Sequence, residues 1–208
     1  MGEIKGTRTI KMMDKVRFSN EQRIWFTADT HFGHQNIIRY CNRPFNSIEE
    51  MDETLINNWN KVVDKEDVVF HLGDFAVGGA ASWSNLLQRL NGKVYLIMGN
   101  HDVHTIDKGF EGFQYVSWEM LIEIGKQKIY LNHYPFLCFS GAKKNTWQLF
   151  GHVHTSPYFK GKDSSRLSLL FPTQYDVGVD NNNFTPISYN EVKAKILQQL
   201  KMGYGQSI

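Results

Sequence analysis

Short apolar runs that end abruptly at polar residues predict buried strands in the first half of the chain. Three such runs lie at residues 24–28, 68–72 and 94–98. The polar residues that follow them are Asp29, Gly73-Asp74 and Gly99-Asn100. Each run is long enough for one strand of a buried sheet, so the pattern predicts three core strands with polar side chains at their carboxyl ends.

Apolar residues recur at helical spacing between and after these strands. Ser47 and Glu50 match a capping box, which predicts a helix from there to about residue 61. Leucines at 86, 87 and 90 predict a second helix that ends at Asn91-Gly92, and residues 191–200 predict a third. Alternation of strands and helices favours an α/β fold with crossover connections.

The second half of the chain predicts shorter strands. Residues 120–124 and 128–131 flank Gly125 and indicate a hairpin, residues 148–150 indicate a short strand, and 176–180 and 186–188 indicate closing strands. The sheets are therefore expected to be mixed. No linker interrupts the pattern, so we expect one domain over residues 23–208, preceded by a polar segment, 1–22, that is a loosely ordered lead-in or an edge element.

Composition narrows the class of protein. The chain has 208 residues, of which 41% are hydrophobic and 21% charged, as in globular proteins. A net charge of +2 without a Lys/Arg block argues against a dedicated nucleic-acid surface. The sequence has no signal-peptide pattern and no apolar stretch that could span a bilayer, so we expect a cytoplasmic protein without a membrane partner. Cys41 and Cys138 are expected to be free thiols.

Five polar clusters fall at the ends of the predicted strands and contain five of the eight histidines. The clusters are Asp29-Thr30-His31, Gly73-Asp74, Gly99-Asn100-His101-Asp102, His133 and Gly151-His152-Val153-His154. Carboxylates, an amide oxygen and imidazoles together suit divalent manganese, iron, cobalt, nickel or zinc. Cysteine is missing from these clusters, which argues against a structural zinc site.

The order of these clusters resembles the calcineurin-like metallophosphoesterase family over residues 23–188. The resemblance implies an α/β chain, classed as α+β in some schemes, that forms a two-layered β-sandwich flanked by helices. It also implies a dinuclear metal centre, with manganese the favoured ion, in which a metal-bridging hydroxide hydrolyses phosphate esters.

Carried over position by position, the resemblance assigns metal ligands and one catalytic residue. The first metal would take Asp29, His31 and His154, and the second would take Asn100, His133 and His152. Asp74 would bridge the two ions, which lie roughly 3.5–4 Å apart in two-metal hydrolases. His101 would contact the substrate and assist the leaving group, as a side chain with a near-neutral pKa can.

One departure from the family pattern bears on the substrate. Relatives that dephosphorylate proteins extend the second motif to Gly-Asp-x-x-Asp-Arg-Gly, whereas this chain reads Gly-Asp-Phe-Ala-Val-Gly-Gly over residues 73–79. A protein phosphatase is therefore disfavoured. We expect a phosphodiesterase that acts on small or nucleotide-like esters; the alternatives are a phosphomonoesterase, a nuclease and a non-catalytic metal-binding scaffold.

Polar side chains after the first cluster are candidates for substrate contact. They are His34, Asn36, Arg39 and Arg43, of which the arginines match phosphate oxygens well. In the alternative interpretation, Arg39 lies on a solvated helix face and His34 caps a turn. Asp176 and Asp180 are interpreted as strand ends or turn acceptors, outside the site, and His71 as a core residue or a support for a ligand.

Overall fold

Two five-stranded β-sheets lie face to face in the computed structural model, which describes residues 16–156 and 164–202. Across the first sheet the strands are β1 (Val16–Phe18), β6 (Glu119–Ile124), β7 (Gln127–Asn132), β8 (Trp147–Phe150) and β9 (Gln174–Asp176). Across the second sheet they are β10 (Ile187–Ser188), β2 (Ile24–Thr27), β3 (Val68–His71), β4 (Lys93–Ile97) and β5 (Tyr115–Ser117).

Six α-helices connect or flank these strands in the described part of the chain. They are α1 (Gln35–Tyr40), α2 (Ile48–Val62), α3 (Ala80–Arg89), α4 (Val103–Asp107), α5 (Ser164–Leu167) and α6 (Tyr189–Lys201). The expected two-layered β-sandwich flanked by helices is confirmed. None of the helices in the described ranges has the length and apolar character needed to cross a bilayer.

The three central strands of the second sheet, β2, β3 and β4, are largely buried on both faces, which explains their nearly continuous apolar sequences. Phe26 and Phe70 point into the core shared with the first sheet. Val69 and Leu96 point to the other side, where they pack with Trp59 of α2 and with α3. Successive strand residues thus serve two different cores, one between the sheets and one under the helices.

The first sheet has one buried and one more polar face. In β6, Met120, Ile122 and Ile124 are buried in the core between the sheets, while Leu121 and Glu123 alternate with them on the other side. The predicted hairpin is confirmed, because β6 and β7 pair antiparallel around Gly125.

Parallel pairing brings the carboxyl ends of several strands to one edge of the molecule. Strands β2, β3, β4 and β5 are mutually parallel, and so are β7, β8 and β9 in the other sheet. A parallel bridge between Ala28 and Gly178 links the segments that follow β2 and β9. The polar clusters that follow these strands therefore meet where the two sheets come together.

Some elements differ from the sequence prediction. The predicted strand over 176–180 ends at Asp176, and a 3-10 turn, Val179–Asn181, follows. The reason is local hydrogen bonding, because the Asp176 carboxylate accepts from the Gly178 N–H while the Asn181 side chain donates to the Asp176 carbonyl. Four short elements, α1, α4, α5 and β5, have no clear periodicity and were not predicted.

The segment 1–22, expected to be a lead-in or an edge element, contains strand β1. This strand pairs parallel with β6 at the edge of the first sheet, and Phe18 is buried in the core between the sheets. Residues 1–15 lie outside the described part of the chain.

Candidate metal centre

The seven side chains expected to bind metal all follow strands at the shared edge of the two sheets. Their positions are Asp29 and His31 after β2, Asp74 after β3, Asn100 after β4, His133 after β7, and His152 and His154 after β8. The second sheet therefore supplies the two aspartates, Asn100 and His31, and the first sheet supplies the other three histidines.

One group of candidate ligands consists of Asp29, His31 and His154, each offering one ligand atom within 4.8 Å of the others. The Nε2 atom of His31 also lies 3.5 Å from Asp74 Oδ2. Two atoms that bind one ion at about 2.1 Å are roughly 3 to 3.5 Å apart, so this spacing is close to that of a loaded site.

A second group consists of Asp74, His133 and His152, with ligand atoms equally close. His133 Nε2 lies 3.6 Å from Asp74 Oδ2 and 3.2 Å from His152 Nδ1. Asn100 borders this group through Tyr134, whose hydroxyl is 3.3 Å from Asn100 Oδ1 and whose ring centroid is 4.6 Å from that of His152. Asp74 Oδ2 thus stands between ligands of both groups.

The nitrogen atoms of these histidines are arranged to accept a cation. The His133 Nδ1–H donates to the Leu72 carbonyl at 2.7 Å, which leaves the Nε2 lone pair facing Asp74 and His152. His31 Nε2 is buried and has no hydrogen-bond partner among the described residues. A bound ion satisfies such an orphaned nitrogen, so the residues present fit divalent metal ions.

Burial disfavours the charged forms of the same side chains. Burial raises the pKa of Asp29 well above its usual range and lowers the pKa of His31 well below it. Burial also lowers the pKa of His133 to about 4. The imidazoles of His31 and His133 are therefore neutral at pH 7, as metal ligands must be. Burial acts in the same direction on His154, but the neighbouring Asp29 and Asp180 carboxylates outweigh it and raise the pKa of His154 to about 11. A bound cation would take the place of that proton and compensate the buried Asp29 carboxylate.

The backbone of the site is unusual as well. Five of the seven candidate ligands have positive φ, between 48° and 72°, a region that side chains other than Gly, Asn and Asp seldom adopt. They are Asp29, His31, Asp74, His152 and His154. Strained conformations of this kind persist where the surrounding structure enforces them, and they concentrate at functional sites.

Two carboxylates that sequence reasoning left out of the site hold it in place. Asp180 Oδ2 lies 2.9 Å from His154 Nδ1, which orients the other nitrogen of that ring toward the first group. Asp102 accepts hydrogen bonds from the backbone N–H groups of Asp74, Phe75 and Gly99. Asp102 belongs to a recognised cluster and was identifiable from sequence, whereas nothing local distinguishes Asp180.

The prediction that Arg43 contacts substrate is wrong. Its guanidinium is buried and donates to both oxygens of Asp180 at 2.8 Å, and to the backbone carbonyls of Asp29 and Thr30. All its hydrogen-bonding directions are used within the protein, so Arg43 positions the first ligand loop instead.

The other candidate substrate contacts lie at or beside the group of imidazoles. The His34 ring centroid is 5.3 Å from that of His31 and 5.9 Å from that of His101. Asn36 and Arg39 lie exposed on α1, and the Arg39 guanidinium stacks over the Tyr40 ring at 5.4 Å. Substrate contact by these three side chains stays a prediction.

His101, the expected catalytic residue, borders the metal ligands and faces solvent. Its side chain is 45% exposed, and its Nε2 atom lies 3.9 Å from Asp74 Oδ2. Its backbone N–H donates to the other oxygen of Asp74. The ring can therefore reach both a bound substrate and bulk water.

His71 lies beneath the site, in the supporting position that the sequence indicated. Its ring is fully buried, its Nε2 lies 2.9 Å from the Thr30 hydroxyl, and burial lowers its pKa to about 3. Because the Thr30 hydroxyl donates to the Phe75 carbonyl, the His71 Nε2 carries the proton and donates to Thr30. His71 is thus a neutral residue that fixes the loop between two ligands.

Comparison with known proteins agrees with this geometry. A protein of Methanocaldococcus jannaschii, described as uncharacterized, is 35% identical over 188 residues, which cover 87% of this chain and 94% of the relative. The Gene 66 protein of Mycobacterium phage L5 is 29% identical and aligns with 75% of this chain and 86% of its own length.

A solved structure and a family model extend the comparison. The crystal structure of an Aquifex aeolicus protein of unknown function superposes with a TM-score of 0.65 at 26% identity, and the match covers 84% of this chain and 99% of that protein. The model of the calcineurin-like phosphoesterases matches residues 22–184, which include all seven candidate ligands and His101. The chain therefore belongs to the calcineurin-like phosphoesterase family, in which bound metal ions support the hydrolysis of phosphate esters.

Proposed function

We propose that this chain is a phosphodiesterase that binds two divalent transition-metal ions, preferably manganese, and cleaves a small or nucleotide-like phosphate ester. The observation that carries the proposal is the position of Asp74, whose Oδ2 atom lies 3.5 Å from His31 Nε2 and 3.6 Å from His133 Nε2. One carboxylate placed between two sets of ligands is a means of holding two neighbouring cations.

Each residue of the site has a separate task in the proposed reaction. When bound, the two ions supply an activated water at neutral pH and stabilise the negative charge that develops on the phosphate. His101 stands at the open side of the site, where its imidazole can donate a proton to the departing oxygen. Arg43, Asp180 and Asp102 position the ligands without touching substrate.

A diester is favoured over a monoester on grounds of charge. A phosphate monoester carries nearly two negative charges at pH 7, while a diester carries one. Arg43, one of two guanidinium groups put forward from sequence as phosphate contacts, is neutralised by Asp180 at 2.8 Å. The positive charge of Arg43 is therefore compensated within the protein. This supports a substrate that carries one negative charge rather than two.

The experiment compares bis-p-nitrophenyl phosphate with p-nitrophenyl phosphate as substrates of the protein supplied with Mn²⁺. We expect faster hydrolysis of the diester and two bound ions per chain by elemental analysis. Asp74→Asn should lose metal and activity together. His101→Asn should keep both ions while turnover of a dinucleotide, whose alkoxide leaving group needs a proton, falls by roughly 100-fold or more, because only the proton donor is missing. Hydrolysis of the p-nitrophenyl diester, whose leaving group departs as a stable anion, should fall less.

Two control variants separate these effects from general damage. Asp107→Asn and His104→Asn change exposed side chains of α4 and should match the wild type in metal content and rate. A metal-loaded wild type that leaves both substrates intact would contradict catalysis and favour a binding scaffold. A single ion per chain, or loss of metal in His101→Asn, would refute the corresponding assignment.

A further inference from the structure

A cavity of about 470 Å³ opens beside the second group of metal ligands. His152, one of those ligands, forms part of its wall. Other side chains of the wall come from the segment after β7, which supplies Tyr134 and Leu137, and from the segment of α5 and the residues after it, which supplies Arg166, Leu169 and Leu170. This volume lies within the range of pockets that bind small molecules. The site for phosphate and the cavity are therefore adjacent and share a residue.

Tyr134 connects the cavity to the metal ligands. Its hydroxyl approaches Asn100 Oδ1 at 3.3 Å, and its ring meets that of His152 edge to face at a centroid distance of 4.6 Å. The side chain is 38% exposed, so part of the ring stays accessible. A substituent that extends from a phosphate at His152 toward the cavity would therefore meet the Tyr134 ring.

The walls of the cavity carry apolar side chains that the other described residues leave largely exposed. Leu137 is 67% exposed and Leu169 is 60% exposed. A single exposed leucine is ordinary, but two of them facing one cavity beside a polar reaction centre form a local apolar surface. Arg166 adds a planar guanidinium, a group that stacks on aromatic rings.

A larger cavity, of about 900 Å³, lies elsewhere and does not serve the same purpose. Lysines 126, 128, 143 and 144 contribute to its walls, and it shares no lining residue with the candidate ligands. A substituent attached to a phosphate at the metal centre would not have this cavity as its neighbour. Of these two cavities, the smaller one adjoins the candidate metal ligands.

We propose that the smaller cavity binds a flat aromatic substituent of the phosphate ester, such as a nucleobase, an inference that rests on the proposed phosphodiesterase activity. The leucine side chains suit contact with the faces of a ring, and Tyr134 and Arg166 bring polar groups to the same cavity wall. The cavity then selects among diesters, and the metal centre cleaves them.

The test uses two diesters that share a p-nitrophenyl leaving group. One is thymidine 5′-(p-nitrophenyl phosphate) and the other is methyl p-nitrophenyl phosphate, so the two differ only in the substituent that stays on phosphorus, a nucleoside in one and a methyl group in the other. We expect kcat/KM to be roughly tenfold or more higher for the thymidine ester, mainly through a lower KM, because stacking and apolar contact stabilise the bound base.

The ratio of the two kcat/KM values is then measured in Leu137→Asp and Leu169→Asp. Both variants should lose most of the preference for the thymidine ester, since a carboxylate opposes stacking of a ring in the cavity. Leu197→Asp, at a 46% exposed position on α6, is the matched control and should keep the wild-type ratio. Metal content is measured for every variant.

The outcomes separate this inference from the proposed function. If neither diester is hydrolysed by the metal-loaded wild type, the phosphodiesterase itself is refuted. If both are hydrolysed at similar kcat/KM, or if the cavity variants keep the wild-type ratio, the enzyme stands and the aromatic pocket is refuted.

Discussion

A buried ion pair between Arg43 and Asp180 ties the loop after β2 to the segment after β9. The guanidinium donates to both Asp180 oxygens and to the Asp29 and Thr30 carbonyls, while Asp180 also meets His154 Nδ1. Burying two charges costs free energy that their attraction and hydrogen bonds must offset. The pair is therefore better understood as a device that orients two ligands of the first metal than as a source of net stability.

Replacing Asp180 with Asn should weaken metal binding and lower the stability of the protein, although Asp180 is not one of the candidate metal ligands. The change leaves the Arg43 charge buried and unpaired, for an expected loss of about 3 to 5 kcal/mol of unfolding free energy. It also removes the acceptor that orients His154, so Mn²⁺ affinity should fall roughly 10- to 100-fold. Calorimetric titration with Mn²⁺ and urea unfolding measure the two effects.

A surface pair provides the comparison for this variant. Arg23 and Asp64 also form an ion pair, but their side chains are 52% and 72% exposed. Asp64→Asn should cost less than about 1 kcal/mol and leave Mn²⁺ affinity as in the wild type. Equal losses of affinity in the two variants would show that Asp180 has no particular role at the metal centre.

The loops that follow the strands use backbone conformations that demand small residues at defined places. Gly73 has a φ of +90°, and an added Cβ would lie 2.5 Å from the Gly99 nitrogen and 2.6 Å from His133 Nδ1. The loops after β3 and β4 and the ligand His133 therefore pack as closely as backbone atoms permit. Because Gly73 has no side chain, the loops that follow β3, β4 and β7 can pack closely around it. This close packing places Asp74 between candidate ligands from both sheets.

Gly73→Ala should damage the metal centre directly. The methyl group forces the loops after β3 and β4 apart, in addition to about 1 to 3 kcal/mol of strain from the positive φ. We expect lower Mn²⁺ affinity and a lower urea midpoint. Gly109→Ala is the matched control, because Gly109 has a φ of +83° and open space where a Cβ would stand. Unchanged Mn²⁺ affinity in Gly73→Ala would contradict the proposed role of close packing.

At the scale of the whole molecule, the metal centre joins the two sheets of the sandwich. Asp29, Asp74 and Asn100 follow strands of the second sheet, whereas His133 and His152 follow strands of the first. The core between the sheets consists of apolar side chains from both, such as Phe70 and Ile122. Metal ions bound at the edge would add a second, polar connection between the same two layers.

Removal of metal should therefore lower the stability of the whole domain. An ion that binds only the folded state at 100 times its Kd adds about 2.7 kcal/mol of unfolding free energy. We expect a higher thermal midpoint with Mn²⁺ than with a chelator, and a smaller difference in Asp74→Asn. Identical midpoints for the wild type in both conditions would exclude coupling between metal binding and folding.

Local sequence was enough to predict the main strands and helices and the polar clusters that follow the strands, and the resemblance to a known family then assigned the candidate ligands within those clusters. Apolar runs and helical spacing are short-range patterns, so the strand 68–72 and the helix after Ser47 were recognisable without a structure. The Ser47 side chain indeed accepts from the Glu50 N–H, although Glu50 itself reaches back to Asn46. The ligands were recognisable because each cluster directly follows a strand.

Tertiary structure alone decided where Arg43, Asp180 and Leu137 lie and which residues they adjoin. Arg43 and Asp180 are 137 residues apart, and a basic and an acidic side chain show no pattern that distinguishes a buried partner from a solvated one. Leu137 and Leu169 line one cavity only because separate segments meet beside His152. The chemical types of the candidate ligands can be recognised from short motifs in the sequence. The positioning of those ligands and the proposed selection of substrate depend on contacts between distant parts of the chain, and these contacts exist only once the sheets have packed.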